Sequence, residues 1–179
     1  IGDEIDNAHG SSIYLKKGER LKVKDLLYGM MLRSGNDASI SLATYISGSE
    51  EEFTKLMNKE AKKIGMSNTL FQNSTGLDDA DTKNISTPYD MALLTSKAMQ
   101  NKTFRKIFKT KKYSVKTNMN YHEWFNKNKA LYKYKYITGG KRGYTKKSKR
   151  TLITTSSKDN MNLVIVTLNE TDDFNFHIN

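Results

Sequence analysis

Lys141-Arg142-Gly143-Tyr144-Thr145, Arg150-Thr151-Leu152-Ile153-Thr154-Thr155 and Leu163-Val164-Ile165-Val166 are the stretches whose reading decides the fold. The polar run Ser157-Lys158-Asp159-Asn160 reads as a turn between the second and third. Three strands over Lys141–Thr145, Arg150–Thr155 and Leu163–Leu168, joined by short polar turns, predict a continuous antiparallel meander. The third segment is apolar on both faces, so it belongs in a sheet covered by helices on both sides.

Upstream of the meander the pattern changes period. Ser11 to Leu15 reads as a short strand and Lys16-Lys17-Gly18-Glu19 as a turn. Val23, Leu26, Leu27, Met30 and Met31 then recur at helical spacing, although Lys22 is no cap residue. Ser34-Gly35-Asn36-Asp37 interrupts that pattern, and Ala38 to Ile46 resumes it. A third helix carries Phe53, Leu56, Met57, Ala61 and Ile64 and ends near Gly65. Thr87-Pro88-Tyr89-Asp90 reads as a helix start, with Thr87 capping, Pro88 in the first turn and Asp90 facing the positive dipole end. Met91, Leu94, Thr95 and Ala98 mark its buried side, and Tyr113-Ser114-Val115 is a further strand. Helices in the middle and strands at the end make an α+β domain, and 179 residues without a linker make a single one, 1–179.

Composition narrows the chemistry. No apolar stretch is long enough to span a bilayer, and Ile1-Gly2-Asp3-Glu4 does not begin a signal peptide, so any export signal or membrane anchor lies outside this chain. The absence of cysteine excludes disulfides, thiolate metal sites and a thiol nucleophile. His9, His122 and His177 share no metal-ligand spacing, so a structural role is expected for each and no metal is expected. The formal charge of +11 is uneven: ten basic residues and no acidic one lie between Lys127 and Arg150, interleaved with tyrosines. Such a stretch reads as a solvated lysine face, a nucleic-acid surface, or an attractor of anionic cell-wall polymers. No helix-turn-helix or RNA-binding aromatic motif accompanies it, so no nucleic-acid partner is expected.

Two short motifs carry chemistry: Ser34-Gly35-Asn36 in the link between two helices, and Lys141-Arg142-Gly143 at a strand. Their surroundings resemble one family. Met31-Leu32-Arg33-Ser34-Gly35-Asn36-Asp37-Ala38 resembles the Ser-x-Asn segment of the serine D-alanyl-D-alanine carboxypeptidases, the low-molecular-mass penicillin-binding proteins. Gly10-Ser11-Ser12-Ile13, Asp25-Leu26-Leu27-Tyr28-Gly29, Gly76-Leu77-Asp78 and Ser86-Thr87-Pro88-Tyr89-Asp90 match it in order, and Gly139-Gly140-Lys141-Arg142-Gly143 resembles its Lys-Thr-Gly strand. The resemblance covers nearly the whole chain.

What the resemblance implies is a penicillin-binding/β-lactamase-like transpeptidase fold, an antiparallel sheet with helices on both faces. It also implies a serine enzyme, without metal or organic cofactor, that removes terminal D-alanine from peptidoglycan stem peptides through an acyl-enzyme. Ser34 is then the proton-relay serine, Asn36 the amide that holds the substrate, and Lys141 the lysine of the strand. Gly143 allows close approach of substrate, and Lys127, within Asn126-Lys127-Asn128-Lys129-Ala130-Leu131, supplies a carboxylate-binding cation. β-Lactam antibiotics are implied as covalent inhibitors, and the outer face of a bacterial envelope as the place of action.

The chain departs from that pattern twice. No Ser-x-x-Lys occurs between Ile1 and Asn179, so the family nucleophile is absent from these residues. The expectation is that the chain starts beyond it and also stops before a helix that follows Asp172-Asp173-Phe174, leaving the fold incomplete at both ends. Arg142 stands where the family usually has threonine, and it either binds the substrate carboxylate or fills its site. These departures keep a non-catalytic peptidoglycan-binding relative in view, and a β-lactamase behind it.

Overall fold

The computed structural model describes residues 1–78 and 82–178. A 3-10 turn over Asp3–Asn7 is followed by α1 (Val23–Arg33), α2 (Asn36–Ser47), α3 (Glu50–Lys63), α4 (Pro88–Ala98) and α5 (Lys102–Phe108). Then come β1 (Lys112–Lys116), β2 (Tyr121–Phe125), a single turn α6 (Ala130–Lys133), β3 (Ile137–Thr145), β4 (Lys149–Lys158), β5 (Met161–Glu170) and α7 (Asp173–Phe176). The architecture is α+β, with β1–β2 as a separate antiparallel hairpin and β3-β4-β5 as an antiparallel sheet with β4 at its centre.

The meander expected from the sequence forms, each strand longer than its apolar stretch indicates. Lys141 pairs with Ile153 and Thr154 with Ile165. The turn between β4 and β5 shrinks to Asp159 and Asn160, both at positive φ (49° and 63°). That backbone matches the right-handed twist of the strands it joins, and Asp and Asn tolerate it better than most residues.

Helices cover both faces, and glycines set how closely. A Cβ on Gly139 would lie 2.2 Å from the Phe108 ring of α5, and one on Gly140 would lie 1.9 Å from the amide of Asn128 just before α6. Successive strand residues face opposite ways, so Gly139 and Lys141 look toward α5, whereas Gly140 and Arg142 look toward α6 and α7. On that second side Thr154 and Thr167 grip the ring of His177 at 2.8 and 3.0 Å. β5 departs from expectation: it is an edge strand among the described residues, and none of its residues is fully buried, because only α4 packs substantially along it.

Elsewhere the sequence reading needs three corrections. Ser11–Leu15 is extended but joins no ladder. The buried stripe of α1 is Leu26, Gly29 and Leu32, with Tyr28 and Asp25, while Val23 is 41% exposed and Met30 and Met31 are only half-buried. The stripe rotates because α1 packs against α2 and the β1–β2 hairpin, with Tyr28 stacked on Tyr113 at 3.8 Å and Tyr113 Oη donating to Asp25 at 2.6 Å. In α3 Leu56 is 46% exposed, and Thr54 and Ala61 are the buried positions. α4 starts as read: Thr87 Oγ1 accepts from Asp90 N at 3.1 Å, with Pro88 in the first turn. One main core joins Ile13, Leu15, Leu26, Leu32, Leu42, Ile107 and Trp124, and a smaller cluster of Ala130, Leu131 and Ile137 lies under α6.

Candidate active site

The site is built where the α1–α2 junction meets β3. Ser34 ends α1 in a left-handed conformation (φ 59°, ψ 42°), uncommon for a residue with a Cβ. This sharp reversal lifts the Ser34 hydroxyl out of the helix and lets α2 start at Asn36, two residues earlier than its apolar pattern indicates. The junction is held from outside. Asn36 N donates to Ser11 O at 2.8 Å, and Asn36 Nδ2 to His9 O at 2.6 Å. The buried Asp37 carboxylate accepts from Ser12 Oγ (2.6 Å), Ile13 N (3.1 Å) and Leu15 N (3.0 Å). A carboxylate therefore does for Ser11–Leu15 what a neighbouring strand would have done, satisfying backbone donors that would otherwise be buried unpaired.

Across the groove, Lys141 Nζ donates to Ser34 Oγ at 2.5 Å and to Arg142 O at 2.8 Å. Burial pushes the Lys141 ammonium down to about 8, and the nearby charges of Lys127 and Arg142 add to the effect. Lys127 is lowered as well, by burial first and then by Arg33 and Arg142. Its place is fixed by its own backbone, since Lys127 N donates to Leu32 O at 3.2 Å. The flanking asparagines hold the loop: Asn126 Nδ2 donates to Thr110 O (3.0 Å), Asn126 Oδ1 accepts from Asn128 N (2.9 Å) and Asn128 Oδ1 from Ala130 N (3.0 Å). Four cations, Arg33, Lys127, Lys141 and Arg142, thus crowd one region, an environment suited to an anion.

The structure brings Ser34, Asn36 and Lys141 to one site, with Lys127 close enough to perturb Lys141. Arg142 is placed differently from Lys141. Strand alternation sends it to the other face, where its guanidinium lies 5.7 Å over the Phe174 ring. Gly143 has an internal reason to be glycine, because a Cβ there would lie 2.6 Å from Thr151 Oγ1 on the paired strand. Two further contributors were not singled out in the sequence. Asp37 is one. Asp78 is the other: it accepts from Thr145 Oγ1 at 2.5 Å and from Ser148 Oγ at 3.2 Å, tying the Gly76-Leu77-Asp78 loop to the β3–β4 turn. Among the described residues no group of His, Cys, Asp or Glu could hold a metal. His122 instead meets the buried Glu19 at 2.7 Å.

A serine hydroxyl, an amide and a lysine of lowered basicity thus meet between two helices and an edge strand, an arrangement suited to acyl transfer. Residues 2–172 match the family model described as peptidase S11, D-alanyl-D-alanine carboxypeptidase. This chain belongs to the D-alanyl-D-alanine carboxypeptidase family. It is similar to D-alanyl-D-alanine carboxypeptidase DacF of Bacillus subtilis (strain 168), 39% identical over 158 residues, which is 88% of this chain and 40% of that protein. Against the D-alanyl-D-alanine carboxypeptidase of Streptomyces sp. (strain K15) it is 36% identical over 80% of this chain and 53% of the relative. The chain spans about two fifths to half the length of the curated relatives it matches. In structure, a mutant of the Streptomyces K15 DD-transpeptidase superposes with a TM-score of 0.88 at 30% identity, covering 98% of this chain and 74% of that one. A carboxypeptidase from Mycobacterium tuberculosis H37Rv shares the fold with a TM-score of 0.90 at 24% identity, covering 100% and 73%. The penicillin-binding fold expected from the family's motifs is therefore the fold observed.

Proposed function

We propose that this chain supplies two walls of a serine-type D-Ala-D-Ala carboxypeptidase site, which removes terminal D-alanine from peptidoglycan stem peptides at the bacterial envelope. The observation that carries the reading is the Lys141–Ser34 hydrogen bond, which joins residues 107 apart in sequence. A lysine brought down to about 8 passes a proton far more readily near neutrality than an ordinary one. Ser34 stands between it and the groove, positioned to relay that proton to the departing amine. Asn36, its amide oriented by His9, holds the substrate's peptide group. β3 has no partner on its outer edge among the described residues, so an extended peptide can add to it as a further strand.

Lys127, Lys141 and Arg142 together attract the terminal carboxylate. Arg142 rests on Phe174, on the face opposite Lys141, which argues against its filling the site and leaves it acting on the carboxylate through the positive field it shares with Lys127 and Lys141. Gly143 keeps β3 flat against β4, so its role toward substrate is indirect. The attacking serine of a Ser-x-x-Lys is not among these residues, and covalent chemistry waits on it. Arg142, standing where the family usually has threonine, favours a second reading, a peptidoglycan-binding relative without catalysis.

Labelled penicillin distinguishes the two. The 179-residue chain alone is expected to remain unlabelled and to release no D-alanine from a pentapeptide. The full-length protein is expected to be acylated, with Ser34→Ala slowing acylation by about 100-fold or more. Arg142→Thr in the full-length protein is expected to raise KM for a carboxylate-terminated peptide while changing kcat little. A full-length protein that carries Ser-x-x-Lys yet stays inert in both assays would leave only the binding role.

A further inference from the structure

The charge of this molecule is divided along the chain. Residues 1–90 hold 11 basic and 14 acidic side chains, and residues 91–179 hold 19 and 5. Eleven basic residues, and no acidic one, lie between Glu123 and Asp159. In the first half three lysines find carboxylates: Lys17 meets Asp3 and Asp6, Lys55 meets Glu51 and Glu52, and Lys63 meets Glu60. Of the eleven, only Arg150 comes near a carboxylate among the described residues, 3.8 Å from Asp173.

Around α6 three lysines, one of them just before β1, rest on rings instead. Lys111 lies 5.4 Å over Tyr132, and Lys135 and Lys158 lie 4.9 and 5.3 Å over Tyr136. Tyr134 meets Tyr136 edge-on at 5.3 Å, and Ser157 N donates to Tyr136 O, so the strip is continuous from the start of β1, across α6, to the end of β4. Exposed lysines held this way have no carboxylate beside them, a self-repelling arrangement that a bound polyanion relieves.

We propose that the strip Lys111, Tyr132, Lys133, Lys135, Tyr136 and Lys158 is a docking surface for a polymer with a phosphodiester backbone, lying outside the Ser34–Lys141 cleft. An ammonium is a rotatable point charge that suits a row of phosphates, whereas planar, bidentate recognition would call for arginine, and this strip has none. A membrane fits less well, because insertion needs protruding rings. Tyr132 instead turns its hydroxyl back to Lys111 O and Asn126 O, at 3.0 and 3.3 Å, and Tyr134 and Tyr136 are half-buried. Single-stranded nucleic acid fits less well too, since base stacking needs open ring faces and ammonium groups lie over Tyr132 and Tyr136.

The test uses this chain and fluorescent poly(glycerol phosphate), with phosphatidylglycerol vesicles and single-stranded DNA at equal phosphate concentration. A strip variant, K111Q/K133Q/K135Q/K158Q, is compared with K55Q/K59Q/K62Q/K63Q on α3, which loses the same charge elsewhere. In 50 mM salt the strip variant is expected to lose about 100-fold in affinity for the polymer, and its log–log salt dependence to flatten by about 3, as for four lost phosphate contacts. The α3 variant is expected to change less than about 3-fold. In the wild-type chain the polymer should also shield Lys133 and Lys158 from acetylation, a readout that needs no variant. Equal loss in both variants, no shielding, or tighter binding to vesicles or to DNA would overturn the proposal.

Discussion

At the scale of single residues, Lys141 ties chemistry to stability. Its ammonium is held at about 8 against an ordinary 10.5, so between those pH values the unfolded chain binds more protons than the folded one. Stability contributed by this group therefore rises as pH increases from 8 toward 10.5, because the cost of burying a charge disappears. Tyr113 acts in the opposite sense above pH 10, since burial and its hydrogen bond to Asp25 push it up to about 12. The clean window is thus pH 8 to 10. Thermal melts of Lys141→Met in that window should lack a rise that the wild-type chain shows. Parallel curves would mean that Lys141 titrates normally. That Ser34 and Lys141 meet was legible in the sequence through the family resemblance of the segments around them, since neither tripeptide is specific alone. The side of β3 that Arg142 takes was legible only in principle, from alternation, since nothing local says that Phe174 waits there.

Among elements, the strands of the meander and the start of α4 could be read directly, because turn residues and a Thr-Pro cap are local signals. The β1–β2 hairpin was half read. Tyr121–Phe125 places only His122 and Trp124 inward, a pattern too short to register. Ser11–Leu15 was read as a strand because its alternation is correct: Ile13 and Leu15 are buried and Tyr14 is 80% exposed. Its partner is a side chain instead of a strand, and a carboxylate 22 to 25 residues away leaves no trace in periodicity. Asp37→Ala removes three charge-assisted acceptor contacts and orphans the buried N–H groups of Ile13 and Leu15, so it should destabilise the chain by about 3 kcal/mol or more in urea unfolding. Asp37→Asn, which keeps an acceptor oxygen, should recover part of that loss. Equal losses for the two variants would point to packing alone.

For the whole molecule, family and layer order follow from motifs spread over the entire chain, and these were visible in the sequence. The distribution of charge was visible too, but its meaning was not. Only the folded arrangement shows three lysines of the first half meeting carboxylates while three around α6 lie over tyrosine rings. The two-sided apolar character of β5 was read as full burial, yet the strand lies at the sheet edge with Leu163 48% and Met161 60% exposed. Apolar composition reports what a strand can bury, and the neighbours decide what it does bury. No helix among the described residues is long and apolar enough to cross a membrane.

The Ser34–Lys141 contact closes a loop of 107 residues, whereas each hairpin beneath it closes over a handful. Closing so long a loop costs entropy that local pairings do not, so the two walls should meet after the hairpins and the α1–α2 unit have formed. The groove would then be unformed at the folding barrier. Ser34→Ala and Lys141→Met should leave the refolding limb of a denaturant chevron in place and shift only the unfolding limb. Stopped-flow traces showing slowed refolding in either variant would place the groove inside the nucleus. If the unfolding limb alone moves, substitutions in this cleft can alter how long the native state survives without altering how readily the chain finds it.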